Sequence, residues 1–150
     1  MKIRNPFKDY LGRWKDDTTK TEKFVWTLVS ISFGFALGKA GIDAKYEGET
    51  YELIPSFNYD KSSYERQANA KGEFVNRGGK RILPIKYTPD FIGKDFIIET
   101  KGRANESFPI RWKLFKKLVS EQFPNYILFK PQNQKECDRV ISIIKEMRKK

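Results

Sequence analysis

Tyr87 to Gly102 runs YTPDFIGKDFIIETKG, two β-type stretches, Lys86 to Ile92 and Asp95 to Thr100, parted by Gly93-Lys94. A two-residue spacer containing glycine favours a tight hairpin. With Gly93 and Lys94 as the turn, Ile92 faces Asp95, Phe91 faces Phe96 and Asp90 faces Ile97. Side chains alternate along a strand, so Asp90, Ile97, Glu99 and Lys101 share one face of the hairpin.

Two carboxylates and an amine on one face have a chemical use. Neighbouring carboxylates raise each other's pKa by like-charge repulsion, which a divalent cation relieves. One or two carboxylates with open positions suit Mg²⁺, with Mn²⁺ as a substitute, because Mg²⁺ keeps several waters and takes substrate phosphates as further ligands. Such a metal activates water and neutralises charge on a scissile phosphate. The plain alternative is a solvated cross-strand charge pair, worth under ~1 kcal/mol.

Pro89-Asp90 followed by Glu99-Thr100-Lys101 resembles the PD-(D/E)xK motif of metal-dependent nucleases. More narrowly, TPDF followed by ETKG is similar to the phage endonuclease I group of Holliday-junction resolvases and related phage endodeoxyribonucleases. The likeness extends through Tyr51-Glu52-Leu53-Ile54-Pro55 and Arg111-Trp112-Lys113-Leu114-Phe115-Lys116, covering roughly Glu22 to Lys130. It implies a restriction-endonuclease-like α/β fold, Asp90 and Glu99 as metal ligands, Lys101 as the catalytic lysine, and pairing into a homodimer. Related nucleases carry a further glutamate on the first helix. Glu22, the only acid between Asp17 and Asp43, is the candidate for that catalytic role. Its distance from Gly41 is longer than the motif implies, so either the helix is extended at its far end or Glu22 only caps it.

Composition narrows the chemistry. Thirty Lys and Arg against 19 Asp and Glu leave a net charge of +11, and 15% of residues are aromatic, which points to a polyanionic partner, although charge alone would fit a membrane surface almost as well. There is no histidine, which removes His–metal sites, triads with a His base and HNH-type nucleases. One cysteine, Cys137, rules out an internal disulfide and fits a reducing cytoplasm, that of a bacterial host for a phage protein. Met1 to Lys20 is charged, with no apolar segment of a signal peptide, and reads as a basic arm. The uncharged run Phe24 to Gly38 falls short of the ~20 residues of a membrane span and reads as a buried helix.

That helix is expected to open at Thr19, where Thr19-Lys20-Thr21-Glu22 spells a capping box, and to close at Gly38 or Gly41. Phe24, Val25, Leu28, Val29, Ile31, Phe35 and Leu37 surround it with apolar side chains, and Gly34 and Gly38 admit a close neighbour. Ala44 to Glu47 and Thr50 to Phe57 follow as strands. Their acids Glu47, Glu49 and Glu52 read as solvated positions rather than further ligands. Residues 58–81 form a polar stretch, either a hairpin or substrate-binding flap offering Tyr64, Arg66, Lys71, Arg77, Lys80 and Arg81 to phosphates, or a merely soluble loop.

Beyond the motif, Ser107 is the expected N-cap of a helix with Pro109 in its first turn. Ile110, Leu114, Phe115, Leu118 and Val119 give its apolar side, and Arg111, Lys113, Lys116 and Lys117, with Arg103 before them, are candidate DNA-backbone contacts. Tyr126 to Lys130 reads as a strand, and Asn133-Gln134-Lys135-Glu136 opens a last helix with Val140, Ile141, Ile144 and Met147 inward.

The expected molecule is a basic arm, 1–18, and one α/β nuclease domain, 19–150, whose mixed central sheet is flanked by helices. Its expected activity is Mg²⁺-dependent hydrolysis of DNA phosphodiesters, on branched or distorted DNA such as Holliday junctions, with no membrane association. The rival is a non-catalytic nucleic-acid-binding or virion-associated protein that keeps the fold as a scaffold.

Overall fold

The computed structural model describes residues 18–101 and 107–149, with side chains of the first helix described from Leu28 onward. Helix α1 (Thr18–Lys39) leads into β1 (Lys45–Tyr46), β2 (Tyr51–Ile54), β3 (Phe57–Tyr59) and β4 (Tyr64–Glu65). Then come β5 (Val75–Asn76), β6 (Lys80–Ile82), β7 (Ile85–Tyr87), β8 (Phe91–Ile92) and β9 (Phe96–Ile98). Helix α2 (Phe108–Gln122), β10 (Ile127–Phe129) and helix α3 (Gln134–Met147) complete the chain. The expected mixed α/β class is observed.

The central sheet has the order β1-β8-β9-β10. β8 pairs antiparallel with β1 and β9, while β10 runs parallel to β9, its return made through α2. One face packs Phe91, Phe96 and Ile98 against Phe33 and Leu37 of α1 and Cys137, Val140 and Ile144 of α3. Burial pushes the Cys137 thiol up to about 11, which makes it part of this core rather than a reactive group. The other face packs Ile97 against Tyr51, Tyr87 and the inward side of α2, namely Phe108, Trp112, Phe115, Leu118 and Val119. Helices thus cover both faces of a small sheet.

The remaining strands nest. β2 pairs with β7, β3 with β6 and β4 with β5, all antiparallel, so Tyr51 to Tyr87 is one long two-stranded ribbon folded back on itself. Pro55 separates β2 from β3, since it has no amide to donate to a ladder. The stretch 58–81 is therefore the outer part of a hairpin and not an unstructured loop.

Several expectations need correction. The hairpin of β8 and β9 turns at Lys94-Asp95, not Gly93-Lys94: Phe91 faces Ile98, Ile92 faces Ile97, and Gly93 N–H donates to the Phe96 carbonyl at 2.9 Å. This slides the pairing by two residues, which preserves faces but sets Asp90 opposite Glu99 instead of Ile97. The cause is packing: a Cβ on residue 93 would lie 2.2 Å from the Phe96 ring, so the glycine is needed beside that fully buried ring rather than in the turn.

Helix α1 begins at Thr18, and the Thr19 capping box concerns side chains outside the described residues. Its other end is as expected. Gly41 has φ +69°, and Ile42 N–H donates to Leu37 O at 3.0 Å, which closes a Schellman motif. Phe35 is 72% exposed, so apolar character around α1 does not mean cover all round. Gly34 admits the Phe91 ring, whereas Gly38 has nothing near it. On α2, Ile110 points outward and Trp112 and Phe108 hold the core positions, while Ser107 makes no capping bond through its side chain. Asn133 caps α3 by accepting from Glu136 N–H at 2.9 Å, and Glu136 reaches back to accept from Gln132 N–H, one residue before the N-cap, at 2.7 Å.

Gly93→Ala is predicted to lower unfolding free energy by about 1–3 kcal/mol, the usual range for overpacking. Urea denaturation checks it, and an unchanged midpoint would contradict the packing argument.

Candidate active site

Strand register brings chemistry from four chain segments into one row. Tyr46 faces Phe91, Phe91 faces Ile98 and Ile98 faces Phe129. One step further along lie Glu47, Asp90, Glu99 and Lys130. Backbone bonds extend the pairing to that step, from Glu47 N to Asp90 O at 2.8 Å and from Glu99 N to Phe129 O at 2.9 Å. Lys101 N donates to Pro131 O at 3.1 Å, which holds the chain in the same alignment past the glutamate.

Asp90 is fixed by its neighbour across the hairpin. Its Oδ2 accepts from Thr100 N–H at 2.7 Å and from the Thr100 hydroxyl. Because Thr100 gives its proton to Asp90, the Ser30 hydroxyl, 2.5 Å away, must donate to Thr100. Both hydroxyl residues are buried. The relay Ser30, Thr100, Asp90 ties α1 to the site through a path that is shielded from water.

Glu99 is sunk deeper. It is 5% exposed, and its Oε2 has no hydrogen-bond partner among the described residues. The buried hydroxyl of Tyr87 also lacks one: the two groups interact electrostatically without the geometry of a hydrogen bond. Burial, then the charge of Asp90, pushes the Glu99 carboxyl up to about 7, against the smaller opposing pulls of the Tyr87 hydroxyl and Lys101. Burial also raises Asp90, and the two Thr100 bonds oppose that rise. Tyr87 is held well above the usual phenol range by burial and by Glu99, so it stays protonated as a donor.

Lys101 Nζ lies 3.8 Å from Glu99 Oε1 and 4.7 Å from the centre of the Phe108 ring. Lys130 Nζ lies 5.9 Å from the same ring, so two ammonium groups converge where α2 begins. Sequence reasoning missed Lys130, Tyr87 and the Ser30–Thr100 relay. Only the parallel pairing of β10 with β9 places Lys130 beside Glu99, and no local motif signals it.

Of the predicted residues, Asp90, Glu99 and Lys101 come together. Among the described residues no three acidic, histidine or cysteine side chains gather as a metal-binding group. Glu22 lies on α1, eight residues before Ser30 and so about 12 Å along the axis, with its side chain outside the described residues. Arg103 is also outside them. Arg111, Lys113, Lys116 and Lys117 are exposed on α2. Lys116 lies over the Trp112 ring at 5.9 Å and Lys117 pairs with Glu121 at 3.0 Å. Lys80 and Arg81 sit on β6 of the ribbon, paired with Tyr59 and Asn58. No helix among the described residues is long and apolar enough to cross a membrane.

No family model, curated protein or solved structure matches the chain.

The raised Glu99 carboxyl makes stability depend on pH. The folded chain keeps this proton to higher pH than the unfolded chain, so its contribution is level below 4.5 and falls between 4.5 and about 7. The loss is on the order of 3 kcal/mol. In EDTA, Glu99→Gln is predicted to be more stable than wild type at pH 8 and to lose that advantage near pH 4.5. Thermal unfolding at the two pH values checks this, and an advantage of equal size at both would contradict it.

Proposed function

We propose that the chain is a Mg²⁺-dependent endodeoxyribonuclease, phage-encoded and acting on branched or otherwise distorted DNA such as Holliday junctions. The observation that carries the reading is the pair Asp90 and Glu99, set opposite each other across a hairpin with Lys101 3.8 Å from the glutamate. A charge pair kept only for solubility would sit in water. Here an acid is buried with one oxygen unpartnered among the described residues, at a clear cost in desolvation.

The donor set fits a hard divalent cation. Asp90 and Glu99 would hold Mg²⁺, or Mn²⁺ in its place, and the small number of protein oxygens leaves positions for water and phosphate. When bound, the ion supplies an activated water and offsets charge on the phosphate. The chain's own groups do the rest. Thr100 fixes one Asp90 oxygen, leaving the other for the ligand. Lys101, and Lys130 beside it, place positive charge where the phosphate gains negative charge, in a partly dehydrated site where such charge acts strongly. Arg111 and Lys113 on α2 extend a basic surface that follows directly from Phe108, and Lys116 and Lys117 lie further along the same helix.

The arrangement of short strands between α1 and α2 is compatible with the restriction-endonuclease-like fold that the motif resembles. Backbone-directed cations and the lack of any base-reading module favour selection by DNA shape rather than sequence. Paired cutting by a homodimer belongs to the same resemblance. The scaffold reading draws on one observation, that no three acidic, histidine or cysteine side chains among the described residues are grouped to hold a metal ion.

A labelled four-way junction beside a linear duplex of matching sequence, with Mg²⁺ or EDTA, separates these readings. Wild type is predicted to make metal-dependent paired cuts near the branch, and Lys101→Ala to cut about 100-fold more slowly or less. Cutting without junction preference would remove the substrate claim. Tight binding without cutting in Mg²⁺ or Mn²⁺ would establish the scaffold.

A further inference from the structure

The ribbon carries its own surface, which none of the candidate active-site residues lines. Facing residues in an antiparallel pair project to the same side, and side chains alternate along each strand. Phe57 faces Ile82 and Tyr59 faces Lys80, so these four share one side. Asn58 and Arg81 face each other on the opposite side, where the Arg81 guanidinium donates to Ser56 Oγ at 2.7 Å. One side of the ribbon is aromatic and the other polar.

The aromatic side is open. Phe57 is 48% exposed and Tyr59 38%, with Ile82 similarly bare. They line a hollow of about 270 Å³ together with Lys80, Arg77 and Glu65. Arg77 is held there by its Nε–H, which donates to the Glu65 carbonyl at 3.2 Å. Two aromatic rings two residues apart stand about 7 Å apart along a strand, with an arginine and a lysine beside them. Among the described residues neither hydrophobic cluster includes these rings.

We infer that this side of the ribbon is a stacking platform for unpaired DNA nucleotides, with Phe57 and Tyr59 taking base faces and Arg77 and Lys80 the flanking phosphates. Stacking on aromatic rings beside a cationic track is how single strands are held without sequence preference. The occupant follows from charge: the chain carries +11, and the hollow adds an arginine and a lysine against one acid, which fits a polyanion with flat apolar faces. Intact duplex hides those faces, whereas a branch or distortion exposes them. The inference rests on the DNA reading for its ligand, but on none of the catalytic groups.

The test is binding in EDTA, so that cleavage plays no part. Fluorescence anisotropy compares a labelled fifteen-thymidine strand with an abasic strand of about the same length, which keeps the phosphates and lacks the bases. Wild type is expected to prefer the thymidine strand about tenfold or more. Phe57→Ala/Tyr59→Ala should abolish the preference, Phe57→Tyr/Tyr59→Phe should keep it, and Lys80→Ala should weaken both strands alike. Equal binding of the two strands by wild type, or a preference that survives the double alanine variant, would overturn the platform. So would concentration-dependent self-association lost in that variant without change in strand binding, which would make the face a contact between two copies. A chain that fails to cut yet shows the base-dependent preference loses the nuclease reading and keeps the platform. One that cuts without the preference does the reverse.

Discussion

The Glu99 carboxyl, buried beside Asp90, sets the constraint that the surrounding structure must meet. Asp90 and Glu99 face each other because Gly93 lets the Phe96 ring settle beneath the hairpin and sets the register two residues from the simplest turn. Once opposed, neither acid can ionise freely, and the surrounding structure compensates them unequally. Asp90 is steadied by two Thr100 donors, backed by Ser30 from α1. Glu99 keeps an oxygen with no partner among the described residues, and its carboxyl is pushed up to about 7. A cation beside such an acid offsets both its desolvation and the charge of its neighbour, which is the physical basis of the proposed metal site.

The rest of the fold serves that arrangement. α1 and α3 close one face of the sheet with Phe33, Leu37, Val140 and Ile144, and α2 closes the other with Trp112 and Phe115. The start of α2 is held against the site by Phe108, whose ring receives both Lys101 and Lys130. The cations near the carboxylates are thus placed by core packing. The ribbon instead has much of its surface in water, which leaves its aromatic side free to engage a partner.

Much of this was legible in the sequence. The Asp90, Glu99 and Lys101 set was found because period-two alternation depends only on parity, so a register error of two residues left the shared face intact. The end of α1 was readable from Gly41 and the start of α3 from Asn133 and Glu136, since caps are local chemistry. What failed was non-local. Ile110 faces outward and Trp112 inward because the burial of a helix side is settled by what packs on it, here Tyr87 and Ile97. Lys130 needed the parallel pairing of β10 with β9, and the Ser30 relay joins residues seventy positions apart. The ribbon was half read: its polar composition showed exposure, but the nested pairing that sorts aromatic from polar sides appears only in three dimensions.

The central claim is that Asp90 and Glu99 form a metal site, and calorimetric titration of Mn²⁺ into the metal-free protein at pH 7 tests it most directly. The account predicts saturable binding accompanied by proton release, because the Glu99 carboxyl titrates at about 7 and must give up its proton to bind. Binding should be lost in Asp90→Asn, and in Glu99→Gln any residual binding should release no proton. Binding of equal strength in wild type and both variants, or no binding in wild type, would contradict the account.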